Sequence, residues 1–355
     1  MLAIVAPGQG SQKPGFLTGW SELPRYAERL SSWSEALGLD LRHLGCQADA
    51  ATIADTAVAQ PLLVAAGLAS ALELGDDDWP AADVVAGHSV GELTAAGLVG
   101  VLTPLAAVGL AARRGQAMAA AASLEPSGLT ALLGGSPEAV LAAIERAGAS
   151  AANHNGAGQI VAGGSLAALE RLALDLPERT RARPLAVAGA FHTAAMDSAV
   201  DQVASAVAEL APGQPTRPIL SNLDGTVLTD GAELTRRLVL QVTRPVRWDL
   251  CQERLASLQV TGLLELVPAG ALAGLARRQS PAVEVFALTE PDQLDAARDF
   301  CARHLEAPQS VLPPLRSGPA LFGDPEGETE TRLNRRSVKH LERLVAGSGR
   351  SEVTA

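Results

Sequence analysis

The 355-residue chain has only three cysteines, Cys46, Cys251 and Cys301, scattered without metal-ligand spacing. They offer neither a disulfide framework nor a zinc site and read as ordinary packing residues. Long hydrophobic runs are also missing. The longest, from about Leu62 to Leu72, contains Gly67 and Ser70 and reads as a helix short of membrane-spanning length, so no membrane association is expected. Met1 leads straight into a strand, so no signal peptide is expected and the cytoplasm is the expected location. Positive charge is in deficit. A formal net charge of −11 argues against nucleic acid as a partner. Neither GxGxxG nor a GK[ST] ending follows the first strand, which leaves a dinucleotide site at Pro7-Gly8-Gln9-Gly10 poorly supported. Histidine is scarce too, at six residues. Any histidine-dependent chemistry therefore has few candidates.

What is present is concentrated in Gly87-His88-Ser89-Val90-Gly91, a GxSxG nucleophile elbow. The preceding Ala82-Asp83-Val84-Val85-Ala86 reads as a buried strand, and Glu92 to Val99 as the start of a helix. A serine on that strand-to-helix turn projects its hydroxyl clear of the backbone. It does so at a helix N-terminus, where amide N–H groups stabilise a developing oxyanion. The flanking glycines leave room for the turn and for substrate.

The serine needs a base. His88 adjoins it, but consecutive elbow residues point in different directions, so His88 reads as a local packing or hydrogen-bonding residue. His43 and His340 lie in polar and charged surroundings and read as solvated surface. His304 suits the C-terminus of an amphipathic helix. His154 falls in an Asn-His-Asn-Gly turn cluster. His192 ends Leu185-Ala186-Val187-Ala188-Gly189-Ala190-Phe191-His192, read as a strand entering a bend with a helix from Thr193. Active-site groups collect at strand ends in open α/β sheets, which makes His192 the preferred base.

Arg114 stands out independently. Thr103-Pro104 caps a helix expected to run to about Ala121, on which Ala107, Leu110, Arg114, Met118 and Ala121 form a buried stripe. A guanidinium in such a stripe is costly unless a fixed anion or an internal carboxylate meets it. Arg113 lies on a more polar face.

Several motifs occur in an order that resembles the malonyl-CoA:acyl-carrier-protein transacylases and the acyltransferase domains of fatty-acid and polyketide synthases. They are Pro7-Gly8-Gln9-Gly10-Ser11-Gln12, Gly87-His88-Ser89-Val90-Gly91-Glu92, Ala112-Arg113-Arg114-Gly115-Gln116, Asn153 to Ile160, Gly189-Ala190-Phe191-His192, Ser221 to Gly225 and Arg244 to Trp248. The resemblance covers residues 1 to about 305. It implies Ser89 as nucleophile, His192 as general base and acid, and an oxyanion hole from the backbone amides of Gln9 and Val90. It implies that the Gln241 carbonyl orients His192; Asp197, Asp224 and Asp249 stay open as carboxylate alternatives. It further implies Arg114 as partner of the malonyl carboxylate and Phe191 as a steric filter against an α-methyl branch, a filter worth about 1–3 kcal/mol. Malonyl-CoA is then a substrate, an acyl carrier protein the partner, and no cofactor or metal is called for. A polyketide-pathway acyltransferase, a serine hydrolase acting on acyl thioesters and a non-catalytic carrier-docking module are the competing readings. Carrier proteins are acidic, as is this chain, so a local basic rim from Arg113, Arg244, Arg247, Arg277 and Arg278 would have to receive one. The chain departs from the family at Val267-Pro268-Ala269-Gly270-Ala271, where many members have Gly-Pro-Gly and a polar residue.

The expected fold class is α/β: a large α/β hydrolase-like domain (1–125 and 190–305) interrupted by a small ferredoxin-like subdomain (126–189). The latter is read as strand Leu129–Leu133, helix Pro137–Ala147, strands Ala151–Asn155 and Gln159–Ala162, helix Leu166–Leu174 and strand Pro184–Val187, the βαββαβ order. Residues 306–355 read as a Pro/Ser/Gly-rich linker and a tail, disordered apart from a possible basic amphipathic helix over Thr331–Val345.

Overall fold

The computed structural model describes residues 1–187 and 189–305. The C-terminal tail, with His340 and the helix expected there, lies outside the described residues.

Among the described residues eleven strands occur in chain order: β1 (Leu2–Ala6), β2 (Val84–Gly87), β3 (Ser127–Gly134), β4 (Ser150–Gly156), β5 (Gln159–Ser165), β6 (Thr180–Pro184), β7 (Ile219–Leu220), β8 (Val227–Leu228), β9 (Val246–Arg247), β10 (Gly262–Glu265) and β11 (Glu284–Ala287). Six form a sheet in the order β11-β10-β1-β2-β7-β8, parallel except for the β7–β8 pair. Every residue of β1 and β2 is buried, as expected of central parallel strands covered on both faces. Alternation divides β1 between two cores. Leu2 and Ile4 join one with Val85, while Ala3 and Val5 join the other with Val84 and Ala86.

The larger core is built on helix Thr56–Leu74, of which Leu62, Leu68 and most neighbours are fully buried. Each such leucine contributes about 1.5–3 kcal/mol. This helix corrects the reading of the Leu62–Leu72 run as too short for a membrane. Its 19 residues and hydropathy of 1.6 satisfy length and composition for a span, yet 78% of that window is buried inside the protein. Its apolar surface is used against helices Gly91–Leu98 and Pro104–Ala122.

The second sheet runs β6-β3-β5-β4-β9, antiparallel except where β9 joins β4 in parallel. Helices Pro137–Arg146 and Leu166–Leu174 cover one face through Leu132, Val140, Ile144, Ile160 and Leu172. Residues 1–305 group as one compact unit. Two expectations fail here. The last strand lies at Thr180–Pro184 rather than Pro184–Val187: Arg181, Arg183 and Pro184 pair with Leu133, Ala131 and Thr130, and a last bond from Leu185 N to the Leu129 carbonyl closes the ladder. The turn-cluster reading of His154 fails while the strand read over Ala151–Asn155 holds: His154 lies in β4, paired with Ile160, and the turn is Gly156-Ala157-Gly158, all three at positive φ.

Candidate active site

The elbow forms where β2 meets helix Gly91–Leu98. Ser89 has φ 54°, a left-handed conformation that side-chain-bearing residues adopt at a cost and that the surroundings must hold. The reason for both flanking glycines is visible. A Cβ on Gly87 would lie 2.0 Å from the Gly91 carbonyl oxygen, and one on Gly91 would lie 2.2 Å from that of Ala6. Strand, turn and helix are pressed together until only hydrogen fits. Asn222 brackets the turn from the β7–β8 connection: its Oδ1 accepts from Ser89 N at 2.7 Å and its Nδ2 donates to the Gly87 carbonyl at 2.6 Å.

Ser89 Oγ lies 2.7 Å from His192 Nε2, and His192 Nδ1 lies 2.8 Å from the Gln241 carbonyl oxygen. Because that oxygen can only accept, Nδ1 carries the proton and Nε2 is left to accept from Ser89. The histidine reaches this position by a different route from the one expected. It does not end a strand: Leu185–Val187 is irregular, and His192 sits in a loop at φ 61°, followed by a short 3-10 turn at Ala194–Met196 and helix Asp197–Ala208. Among the described residues no carboxylate stands behind it. Asp224 is bonded to Thr226 and Arg237, and Asp249 to Arg247. Burial pushes His192 down to about 3, with the Arg114 charge acting in the same direction and the Gln241 carbonyl against it.

The two amides expected to form the oxyanion hole, Val90 N and Gln9 N, have no hydrogen-bond partner among the described residues. Val90 occupies the N-cap of helix Gly91–Leu98, and Gln9 follows β1, held through Nε2 to the Ala54 carbonyl at 3.0 Å.

Arg114 lies in helix Pro104–Ala122, capped by Thr103, and is 1% exposed. Among the described residues no internal carboxylate bonds it directly. Instead Nη1 donates to Gln60 Oε1 at 2.6 Å and Nη2 to Gln241 Oε1 at 2.9 Å, while Nε is buried without a partner. Burial lowers Arg114 to about 10 against the opposing effect of Glu92. The same burial pushes the Glu92 carboxyl up to about 8, against the Asn222 N–H, Arg237, Arg114 and the Gln241 amide. Phe191 is buried, with its ring against Gly189.

The other histidines take ordinary roles. His88 Nε2 meets Asn155 Oδ1 at 2.9 Å and its ring stands edge-on to Trp248; His43 is exposed; His304 is buried between Thr261 and Glu284. Of the five arginines of the expected rim, Arg113 pairs with Glu209 and Arg247 with Asp249, leaving Arg244, Arg277 and Arg278 exposed. Gln60, Glu92 and Asn222 were not singled out from sequence. A signal existed for Glu92, a lone charge inside the apolar helix that follows the elbow.

Comparison with known proteins agrees with this geometry. Residues 4–239 match the acyl transferase domain family. The malonyl CoA-acyl carrier protein transacylase of Mycobacterium tuberculosis is 48% identical over 297 residues, 83% of this chain and 98% of that protein. This chain is a member of the malonyl CoA-acyl carrier protein transacylase family. The transacylase of Escherichia coli K12 is 33% identical over 306 residues, covering 84% of this chain and 99% of its own. Among solved structures, the Mycobacterium tuberculosis transacylase superposes with a TM-score of 0.80 at 47% identity, over 84% of this chain and 99% of that one. A malonyl-transacylase solved in complex with a type II polyketide acyl-carrier protein gives 0.79 at 30% identity, over 84% and 99%. The transacylase family therefore spans the α/β fold described above, and the chain is an acyltransferase.

Proposed function

We propose that this acyltransferase moves a malonyl group from malonyl-CoA to the phosphopantetheine thiol of an acyl carrier protein through a malonyl-Ser89 ester. The observation that carries the reading is one connected array: Ser89 against His192, and His192 and Arg114 both bonded to Gln241. In the first half-reaction Ser89 Oγ attacks the thioester carbonyl carbon while His192 Nε2 takes its proton. The oxyanion that forms faces the free amides of Val90 and Gln9. Collapse breaks the C–S bond, and His192 returns the proton to the departing coenzyme A sulfur. In the second half the phosphopantetheine thiol gives its proton to His192 and attacks the ester carbonyl. Ser89 Oγ leaves and regains the proton. Each half exchanges one acyl bond for another and balances without cofactor or metal.

A neutral His192 is what this cycle requires of its base, and burial keeps it neutral. Arg114 receives the malonyl carboxylate; both Nη atoms keep a second N–H and Nε is free. Phe191 limits space for an α-methyl branch. A hydrolase of acyl thioesters in general would give Arg114 no necessary ligand. We assign the activity to fatty-acid synthesis; of the two solved relatives described above, the one in complex with a polyketide acyl-carrier protein is 30% identical, against 47% for the Mycobacterium tuberculosis transacylase. Unpaired Cys46, Cys251 and Cys301 accord with the reducing cytoplasm.

Arg114→Ala tests the substrate assignment. The variant is expected to lower the malonyl-to-acetyl ratio of kcat/KM by roughly ten- to more than a hundredfold, the equivalent of a lost charge-assisted pair of about 1.5–3 kcal/mol. Acetyl-CoA has no such pair to lose. An unchanged ratio would leave Arg114 as a structural cation and overturn the malonyl reading.

A further inference from the structure

Glu92 lies three residues beyond the nucleophile and takes no part in the cycle described above, yet it is 1% exposed. Its two oxygens serve two separate donors. Oε1 accepts from Asn222 N at 3.1 Å, and Oε2 accepts from Gln241 Nε2. The second bond is dictated from the far side of Gln241. Arg114 can only donate, so the Gln241 amide must turn its oxygen to Nη2 and its nitrogen away, toward Glu92. A buried amide nitrogen aimed there needs acceptors: Glu92 Oε2 supplies the shorter contact, whether or not the carboxyl carries a proton on its other oxygen, and Asn222 Oδ1 the longer at 3.3 Å.

We propose that Glu92 is a specificity-determining positioning residue: by holding the Gln241 amide in one orientation, it fixes the guanidinium of Arg114 for the malonyl carboxylate. This rests on Arg114 being the carboxylate partner. Three features support it. The chain Glu92–Gln241–Arg114 is entirely buried, so water cannot replace a missing member. Gln60 anchors Nη1 alone, and one hydrogen bond leaves the fork free to swing about it. Moreover, the backbone carbonyl of Gln241 orients His192 while its side chain orients Arg114, so the two functions are physically separable at one residue.

The test is Glu92→Gln, which is nearly isosteric but has one acceptor oxygen where two donors converge. The Asn222 N–H is fixed in the backbone, so the side-chain amide of Gln241 is the one displaced, and its nitrogen turns toward Arg114. Acylation of Ser89 in the full chain is followed by mass spectrometry with malonyl-CoA and with acetyl-CoA, alongside thermal melting. The expected result is a malonyl-to-acetyl ratio of kcat/KM lowered about tenfold or more, expressed mainly in KM for malonyl-CoA. Glu92→Asp, which keeps both acceptors on a shorter stem, should recover part of the ratio. Equal losses with both substrates would make Glu92 merely structural and overturn the proposal, as would an unchanged ratio. If Glu92→Gln does not fold, Gln241→Met removes the same tether while retaining the backbone carbonyl, and the same ratio must fall. Arg114→Ala measured in parallel separates the two readings. A ratio that collapses there but survives Glu92→Gln defeats only the role of Glu92; a ratio unchanged in Arg114→Ala defeats the carboxylate assignment itself.

Discussion

Ser89→Ala is expected to abolish both the covalent malonyl adduct and transfer to carrier protein. The proposed cycle turns on this oxygen: His192 Nε2 lies 2.7 Å from it, and the amides of Val90 and Gln9 are the ones proposed to receive the oxyanion its attack creates. Without the hydroxyl, those groups have no acyl bond to form. Asn222 holds the elbow through the Ser89 backbone N–H, a contact the alanine keeps, so the variant should melt close to wild type. Mass spectrometry of protein incubated with malonyl-CoA checks the first point: one malonyl addition at Ser89 in wild type, none in the variant. Labelling elsewhere, or wild-type acyl loss to water at a rate indifferent to carrier protein, would favour a hydrolase.

His192→Ala should slow acylation by roughly 10²–10⁴-fold, the range for a lost general base, with little change in malonyl-CoA binding. The depressed basicity of His192 adds a second signature. A base works only when unprotonated, and burial with the nearby Arg114 charge puts its protonation near 3 rather than 6.5. The acid limb of kcat/KM, which reports the free enzyme, should therefore stay flat as pH falls through 6.5 and drop only well below it. Arg114→Ala should move that limb upward, since the larger of the two charge effects that depress it, Arg114 and His88, is gone while burial stays. Stability carries the same sign: below pH 6.5 the unfolded chain takes up a proton at this position that the folded protein does not, so the folded state loses stability as pH falls. Normal turnover in His192→Ala would overturn the role of His192 as base.

The elbow was legible in sequence because its cause is local. Branched residues in Val84-Val85, glycines at both flanks of Ser89 and an apolar helix afterwards specify strand, turn and helix within a dozen neighbouring residues. Helix Pro104–Ala122 was legible for a similar reason, with Thr103 and Pro104 marking its start. His192 was the right residue to examine but was placed on the wrong element. The apolar letters of Leu185 to Ala190 mimic a strand, whereas pairing with β3 runs over Thr180–Pro184 and ends with the bond from Leu185 N to the Leu129 carbonyl. His154 shows the converse error: Asn and Gly around it suggest a turn, but pairing with β5 overrides local preference.

The sequence by itself determined the strand–Ser89–helix turn, the buried stripe carrying Arg114 and the short list of histidines, since each depends on residues within a few turns of one another. Only the tertiary structure decided which neutral group stands behind His192, what meets Arg114 and where Glu92 points. Gln241 is 127 positions from Arg114 and 149 from Glu92, and Asn222 is 133 from Ser89. Such pairs are brought together by sheet order and helix packing, and no local pattern encodes them. Hydrogen bonding then makes the outcome specific. A donor-only guanidinium orients an amide, the amide demands an acceptor, and the directionality of those bonds in a water-free interior leaves one arrangement.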